Sequence, residues 1–144
     1  MFKIKPLKPV TILPKKAYDG DAGFDVFNND KDLRLWPGER LKIQLGFAME
    51  LPPCYVALIQ EKSGMAVKHG IVTIGNVIDS NYRGECHAIL INTGDRPVDL
   101  KLGTKVAQML IMPCYTGSEY LVVDELSESN RGEGGFGSTG LEAK

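Results

Sequence analysis

The sequence predicts an all-β domain, with many short antiparallel strands packed as a sandwich or barrel. Three observations lead there. The 144 residues include 16 Gly and 8 Pro, which cut the chain into short pieces. Those pieces alternate between apolar and polar residues, or run apolar, over strand length rather than helix length. The breaks between them, Pro37-Gly38, Leu51-Pro52-Pro53, Thr93-Gly94-Asp95 and Leu102-Gly103, carry turn chemistry.

Phe2, Ile4 and Leu7 open an extended segment that Pro6 and Pro9 interrupt. Asp21 to Val26 is a small-residue turn entering a strand. Leu41, Ile43 and Leu45 alternate with Lys42 and Gln44, the period of two expected of a half-buried strand. Tyr55 to Gln60 is a continuous apolar run. Ser63 to Lys68 offers a Ser N-cap and helix-tolerant residues, and His69-Gly70 stops it, so one helical turn is expected there. Asp79-Ser80-Asn81 reads as the tip of a β-hairpin, because these side chains bond their own backbone. His87, Ile89 and Ile91 alternate with Ala88, Leu90 and Asn92. Val106 to Met112 makes another strand, closed by Pro113, and Leu121-Val122-Val123 a last one. From Ser127 onward the residues are Ser, Glu, Asn, Gly and Arg with one isolated Phe136, a composition that buries too little to order itself. The expected organisation is a core over 1–126 and a mobile tail over 127–144.

A single domain of this length has room for a real core. With 17 Lys+Arg against 18 Asp+Glu, the chain lacks the basic field of a general nucleic-acid or anionic-membrane binder. No apolar run approaches a membrane span, and Met1-Phe2-Lys3-Ile4-Lys5 has no signal-peptide core. A soluble intracellular protein is expected. The three cysteines, Cys54, Cys86 and Cys114, are odd in number and far apart, which argues against a disulfide framework and for buried or half-buried thiols. Cys86 and His87 are neighbours on a strand and point to opposite faces, so they make a poor metal pair.

Five stretches carry chemistry. Asp21-Ala22-Gly23-Phe24-Asp25-Val26 brackets a turn with two carboxylates; read alone it is a solvated turn with a buried aromatic. Glu61-Lys62-Ser63-Gly64-Met65-Ala66 sets a cation and a hydroxyl at a helix start, which suits a helix cap and a phosphate cradle equally. Gly75 to Glu85 holds Asp79 on a turn with Tyr82, Arg83 and Gly84. Gly103 to Ile111 is core packing, except that Gln108 is polar inside an apolar strand. The fifth, Arg131 to Gly140, contains Gly-x-Gly-x-x-Gly from Gly132 to Gly137. No strand precedes it and the chain ends soon after, so a dinucleotide fold is rejected. A linker is the default reading, yet one Arg and one aromatic suit a flap over an anion and a flat ring.

In this order, across Asp21 to Gly140, these stretches resemble the trimeric dUTPase family. Val77-Ile78-Asp79-(x)2-Tyr82-Arg83-Gly84 and Arg131-Gly-x-Gly-Gly-Phe-Gly-Ser-Thr-Gly are the most specific of them. Two positions depart from the family pattern. Glu61-Lys62 stands where Pro-Arg is usual, and Lys loses the planar fork that grips phosphate bidentately. Asn76 stands where Gly is usual, with Gly75 one residue earlier; Asn tolerates left-handed backbone.

The resemblance implies a distorted jelly-roll or barrel-like sandwich that hydrolyses dUTP to dUMP and pyrophosphate with Mg2+. Such an enzyme keeps uracil out of DNA and supplies dUMP for thymidylate synthesis, in the cytoplasm or, in a eukaryote or virus, the nucleus. Asp79 would be the general base for water attacking the α-phosphorus. Tyr82 would pack on the deoxyribose, and the backbone around Asn76 would read uracil. Lys62, Ser63, Gly64, Gln108, Arg131, Gly137, Ser138 and Thr139 would hold the triphosphate, and Phe136 would stack on the base. Asp25 would reach Mg2+ through water. The resemblance also implies a homotrimer whose sites are shared between chains, with no membrane or nucleic-acid partner. The alternative is a catalytically weak, nucleotide-gated regulatory protein on the same fold.

Overall fold

The computed structural model describes residues 1–136 and 138. It contains ten strands and one helix in the order β1 (Lys3–Pro6), β2 (Phe24–Phe27), β3 (Leu33–Leu35), β4 (Arg40–Glu50), β5 (Tyr55–Gln60), α1 (Ser63–His69), β6 (Ile71–Ile74), β7 (Val77–Ile78), β8 (Glu85–Asn92), β9 (Val98–Leu100) and β10 (Lys105–Pro113). One four-stranded sheet runs β1-β4-β8-β6 and a second runs β2-β10-β5-β7; β3 and β9 form a small third sheet. Every strand pairing among the described residues is antiparallel. The architecture is the expected jelly-roll sandwich.

The core forms where the inward rows of the two large sheets meet. Ile43, Leu45, Phe47, Ala88 and Leu90 come from the first sheet, and Val26, Ala57, Ile59 and Met109 from the second; all belong to one buried cluster. Fully burying a side chain of this size stabilises by about 1.5–3 kcal/mol, so this interface outweighs any surface ion pair. The alternation read in the sequence sets the faces: Cys86, Ala88, Leu90 and Asn92 point inward from β8, and His87, Ile89 and Ile91 outward. Strand β4 needs one interruption. Gly46 takes φ 72, and a Cβ there would lie 2.8 Å from Asn29 Cβ. The β4–β8 register shifts between Gln44 and Ala48 around it. Asn29 is buried and satisfied there, accepting from Ile12 N–H at 2.9 Å and donating to the Leu45 carbonyl at 2.8 Å.

Four expectations change. Leu121-Val122-Val123 is not a strand: Leu121 and Val122 are 85% and 82% exposed, and the segment pairs with no strand among the described residues. Strand propensity alone does not make a strand without an edge to join. Ser63 is not the N-cap. Lys62 holds that place with φ −93 and ψ 130, and its carbonyl accepts from Met65 and Ala66 N–H, both at 2.9 Å. Cys54 is exposed rather than buried, while Cys86 is buried and Cys114 half-buried. Finally, the Asp79 turn does not join two strands of one tight hairpin. It lies in the long connection between β6 and β8, and that connection sends β7 across to pair with β5 in the other sheet. Strands β3 and β9, three residues each, are too short for their period to register in the sequence.

No helix among the described residues is long and apolar enough to cross a membrane.

Candidate active site

Strand β10 aligns the first group of functional side chains. Gln108 is opposite Asp25 of β2 on one side and Gln60 of β5 on the other. Chain β5 then turns into Lys62 and α1, which brings the second motif over Asp25. The Lys62 ammonium bonds Asp25 Oδ1, and Lys105 Nζ lies 2.7 Å from Asp25 Oδ2. Lys105 and Gln108 are three residues apart and would face opposite ways in a regular strand. The β10–β2 register shifts between Lys105 and Ala107, and this extra step puts both on the Asp25 side. That shift is why sequence reading missed Lys105: no local signal marks it.

Asp25 is buried, 5% exposed. Burial by itself raises its pKa, but the hydrogen bonds and charges of Lys105 and Lys62 outweigh burial and hold the carboxyl below its ordinary value. Lys105 is correspondingly raised, chiefly by its hydrogen bond to Asp25. Two ammoniums converge on Asp25, and Asp21 lines the same site, so the attraction for an anion is local to the lysine ends rather than a net positive charge on the site. A groove of about 340 Å³ opens over it, lined by Gly23, Asp25, Lys62, Lys105 and Gln108 among others.

Gln108 braces this cradle. Its Nε2 donates to the Glu61 carbonyl at 2.9 Å, and its Oε1 would lie 2.6 Å from a Cβ at position 23, so the turn requires Gly23. Ser63 and Gly64, at the start of α1, are exposed, and nothing lies within 4 Å of a Cβ built on Gly64. The Ser63 hydroxyl is not used for capping.

Asp79 and Tyr82 sit elsewhere, in a groove of about 330 Å³ that shares no lining residue with the first. Both are exposed. The turn is held by Tyr82 N–H donating to the Asp79 carbonyl at 3.1 Å, and by Arg83 donating to the Ser80 carbonyl at 2.7 Å. Tyr82 folds back over Gly84 and donates its hydroxyl to the Glu85 carbonyl at 3.0 Å; a Cβ on Gly84 would lie 2.3 Å from that hydroxyl oxygen. Left-handed backbone falls on Gly75 (φ 63) and not on Asn76, so the Asn at the family's Gly position does not have to adopt it. The Asn76 carbonyl accepts from Ile59 N–H at 2.9 Å, which pins the connection to β5, and its side-chain Oδ1 is buried without a partner.

The two groups sit on opposite edges of one sheet, β2 at one margin and β7 at the other. Three strand spacings separate those margins, about 14 Å. Asp79 and the Asp25 cradle of one chain therefore do not converge on one phosphorus atom.

The tail provides a third part. Arg131 Nε donates to the Gly134 carbonyl at 2.7 Å, and Ser138 N–H donates to the Gly135 carbonyl at 3.0 Å. Phe136 is fully exposed with φ 48. Gly137 and Thr139 lie outside the described residues.

Mg2+ can be weighed against this donor set. Both Asp25 oxygens already accept from ammoniums, and the described residues contain no group of three His, Cys, Asp or Glu side chains able to cage a metal. The set would suit an ion that keeps its own waters better than one held directly by protein side chains.

A sequence model of the dUTPase family matches residues 10–140. A deoxyuridine 5'-triphosphate nucleotidohydrolase of Anaeromyxobacter sp. (strain Fw109-5) is 42% identical over 134 residues, covering 92% of this chain and 90% of its own. One from Clostridium tetani (strain Massachusetts / E88) is 44% identical over 141 residues, 96% of each. Among solved structures, Staphylococcus bacteriophage 80alpha dUTPase with dUPNHPP matches with a TM-score of 0.89 at 26% identity, covering 98% of this chain and 99% of that one.

Proposed function

The chain belongs to the dUTPase family and is a dUTP diphosphatase, and from that premise we propose how its own residues carry the reaction. The observation that carries the proposal is the separation of an anion cradle and a catalytic carboxylate onto two edges of one sheet. Such halves make whole sites when copies of the chain assemble, and a homotrimer supplies every part. The first, second and fourth motifs come from one chain, Asp79 and Tyr82 from a second, and the tail from a third. The exposed Tyr115, Tyr120, Leu121, Val122 and Leu126 support assembly, since a lone chain leaves this apolar segment in water. We take 1–126 as the core domain and 127–144 as the tail.

Within such a site the dUTP triphosphate lies on the Lys62 and Lys105 ammoniums, with Ser63 and Gly64 donating from the start of α1. Arg131, Gly137, Ser138 and Thr139 close over it from the tail, and Phe136 stacks on uracil, excluding bulk water. Lys62 binds as a point charge, so Lys105 supplies part of the grip that an Arg would give alone. Gln108 acts on the phosphates through the loop it braces. Mg2+, held on the triphosphate and by Asp25 through water, would neutralise phosphate charge. Asp79 holds a water and takes its proton as the water attacks the α-phosphorus. Pyrophosphate leaves and dUMP remains. Tyr82 fills the space a 2′-hydroxyl would need, and backbone at Asn76 and beyond reads the uracil edge. Acting on a free nucleotide, the enzyme is placed in the cytoplasm or nucleus, where it keeps uracil from DNA and provides dUMP for thymidylate synthesis.

Asp79→Asn tests the base. The variant should fold and bind a non-hydrolysable dUTP analogue as the parent does, with turnover down at least ~10²-fold. Near-parental turnover would remove Asp79 from this role. A second reading, nucleotide-gated regulation, has one support: phage 80alpha dUTPase is described as controlling transfer of virulence genes. Parallel turnover assays on dUTP, dTTP, dCTP and UTP separate it from catalysis.

A further inference from the structure

We propose that Cys54 and Cys114 form an oxidation site: a disulfide, made and undone by low-molecular-weight disulfides and thiols, that fastens the end of β10 to the start of β5. The bond would not be part of a folding framework. It would be a reversible modification at the root of the segment leading to the tail.

Register brings the two together across a long stretch of sequence. The β5–β10 ladder ends with Pro113 opposite Tyr55. One step further out, Cys114 N–H donates to the Cys54 carbonyl at 2.9 Å. Opposed residues of an antiparallel ladder hold their Cα atoms ~4.5–5.5 Å apart, inside the range of ~4.4–6.8 Å that disulfides span.

The backbone at Cys54 gives a second, independent indication. Its φ is 64, and Phe136 is the only other non-glycine with positive φ among the described residues. Glycine would sit there without strain, so a cysteine kept in that conformation points to a use for the thiol. The thiol is also aimed usefully: Cys54 Sγ lies 3.4 Å from Thr116 Oγ1, two residues beyond Cys114 on the departing chain. Access is uneven among the three thiols. Cys54 is exposed and Cys114 half-buried, whereas Cys86 is buried within the core, where desolvation pushes its pKa up to about 12 and leaves it inert.

The exchange balances with oxidised glutathione as oxidant. The Cys54 thiolate attacks one sulfur of the glutathione disulfide, that S–S bond breaks, and one glutathione thiolate leaves. The Cys114 thiolate then attacks Cys54 Sγ, and the second glutathione leaves. Two protein thiols lose two electrons, the reagent gains them, and the two protons end on the two released glutathione thiols.

The test is mass spectrometry and thiol counting on the full native chain, reduced and then equilibrated with oxidised glutathione. Of the three thiols, one should remain. The mass should fall by two hydrogens, and digestion without reductant should link the Cys54 and Cys114 peptides, with dithiothreitol reversing all three. Cys114→Ser should stop at a glutathione adduct on Cys54, and Cys54→Ser should form no intramolecular bond. The proposal is overturned if the parent also stops at the adduct, if the bond joins two chains, or if all three thiols persist under conditions that oxidise a free dithiol. These readouts involve no turnover, so they stand whether or not the tail closes over substrate.

Discussion

Asp25 is the residue whose surroundings decide most. Its carboxyl is out of water and would resist ionisation, yet two lysines hold it ionised. Because its folded pKa lies below the ordinary 3.8, the folded state binds fewer protons than the unfolded chain as that value is approached. The resulting stability is present above pH 3.8 and is lost as pH falls from there through the lowered value. Lys105 carries the opposite sign: raised above 10.5, its contribution holds below that pH and fades as pH climbs through the folded value. Lys105→Met should relieve the depression of Asp25 and shrink the loss of stability on the acid side. Unfolding free energy against pH, parent beside variant, measures this, and identical acid limbs would count against the pairing. The variant should also bind dUTP more weakly, seen in KM before kcat, if Lys105 grips phosphate in ground state and transition state alike.

At the scale of elements, legibility followed locality. The runs Tyr55–Gln60 and Val106–Met112, which fall within β5 and β10, were evident because a strand in the middle of a sheet is apolar over its length. The short helix and its stop at Gly70 were evident too, since Gly70 takes φ 67 as a left-handed cap. Lys105 stayed hidden because its facing depends on a register shift, which is a property of two strands and not of one. Strand β7 stayed hidden because it is two residues long and pairs with β5, in the sheet to which neither β6 nor β8 belongs. Leu121-Val122-Val123 misled for a related reason: its residues suit a strand, but among the described residues no edge receives them. Asp79, Tyr82, Lys62 and Arg131 were singled out through motif order, and the resemblance already implied sites shared between chains; what the structure adds is that Asp79 follows β7 at one margin of a sheet while Lys62 bonds Asp25 of β2 at the other. Ending the chain before Arg131 tests the tail as an element. Circular dichroism and thermal midpoint should match the full chain, because the tail's described hydrogen bonds run within 129–138. Turnover of dUTP should collapse by at least ~10²-fold, in line with loss of the groups that orient and enclose substrate.

For the whole molecule, the proposed roles of the Asp25 cradle and Asp79, held apart in one chain, would make assembly a requirement of the chemistry. Two inactive proteins can test it: Asp79→Asn with its tail, and the parent truncated before Arg131. Unfolded together and refolded, they exchange chains, and some mixed trimers place a sound Asp79 and a sound tail at one site. Those mixtures should hydrolyse dUTP where neither parent does. Parental inactivity after mass measurement has verified exchange would place turn and tail in one chain. The two-edge layout of β2 and β7 also bears on heredity. Where sound and damaged alleles are expressed together, a chain lacking its tail would spoil a site otherwise built from healthy neighbours, and a chain lacking Asp79 would spoil another. Each damaged chain takes one part from one site, so working sites fall only in proportion to the damaged chains, and two alleles damaged in different parts would complement, leaving a cell that carries both with some dUTP-clearing capacity.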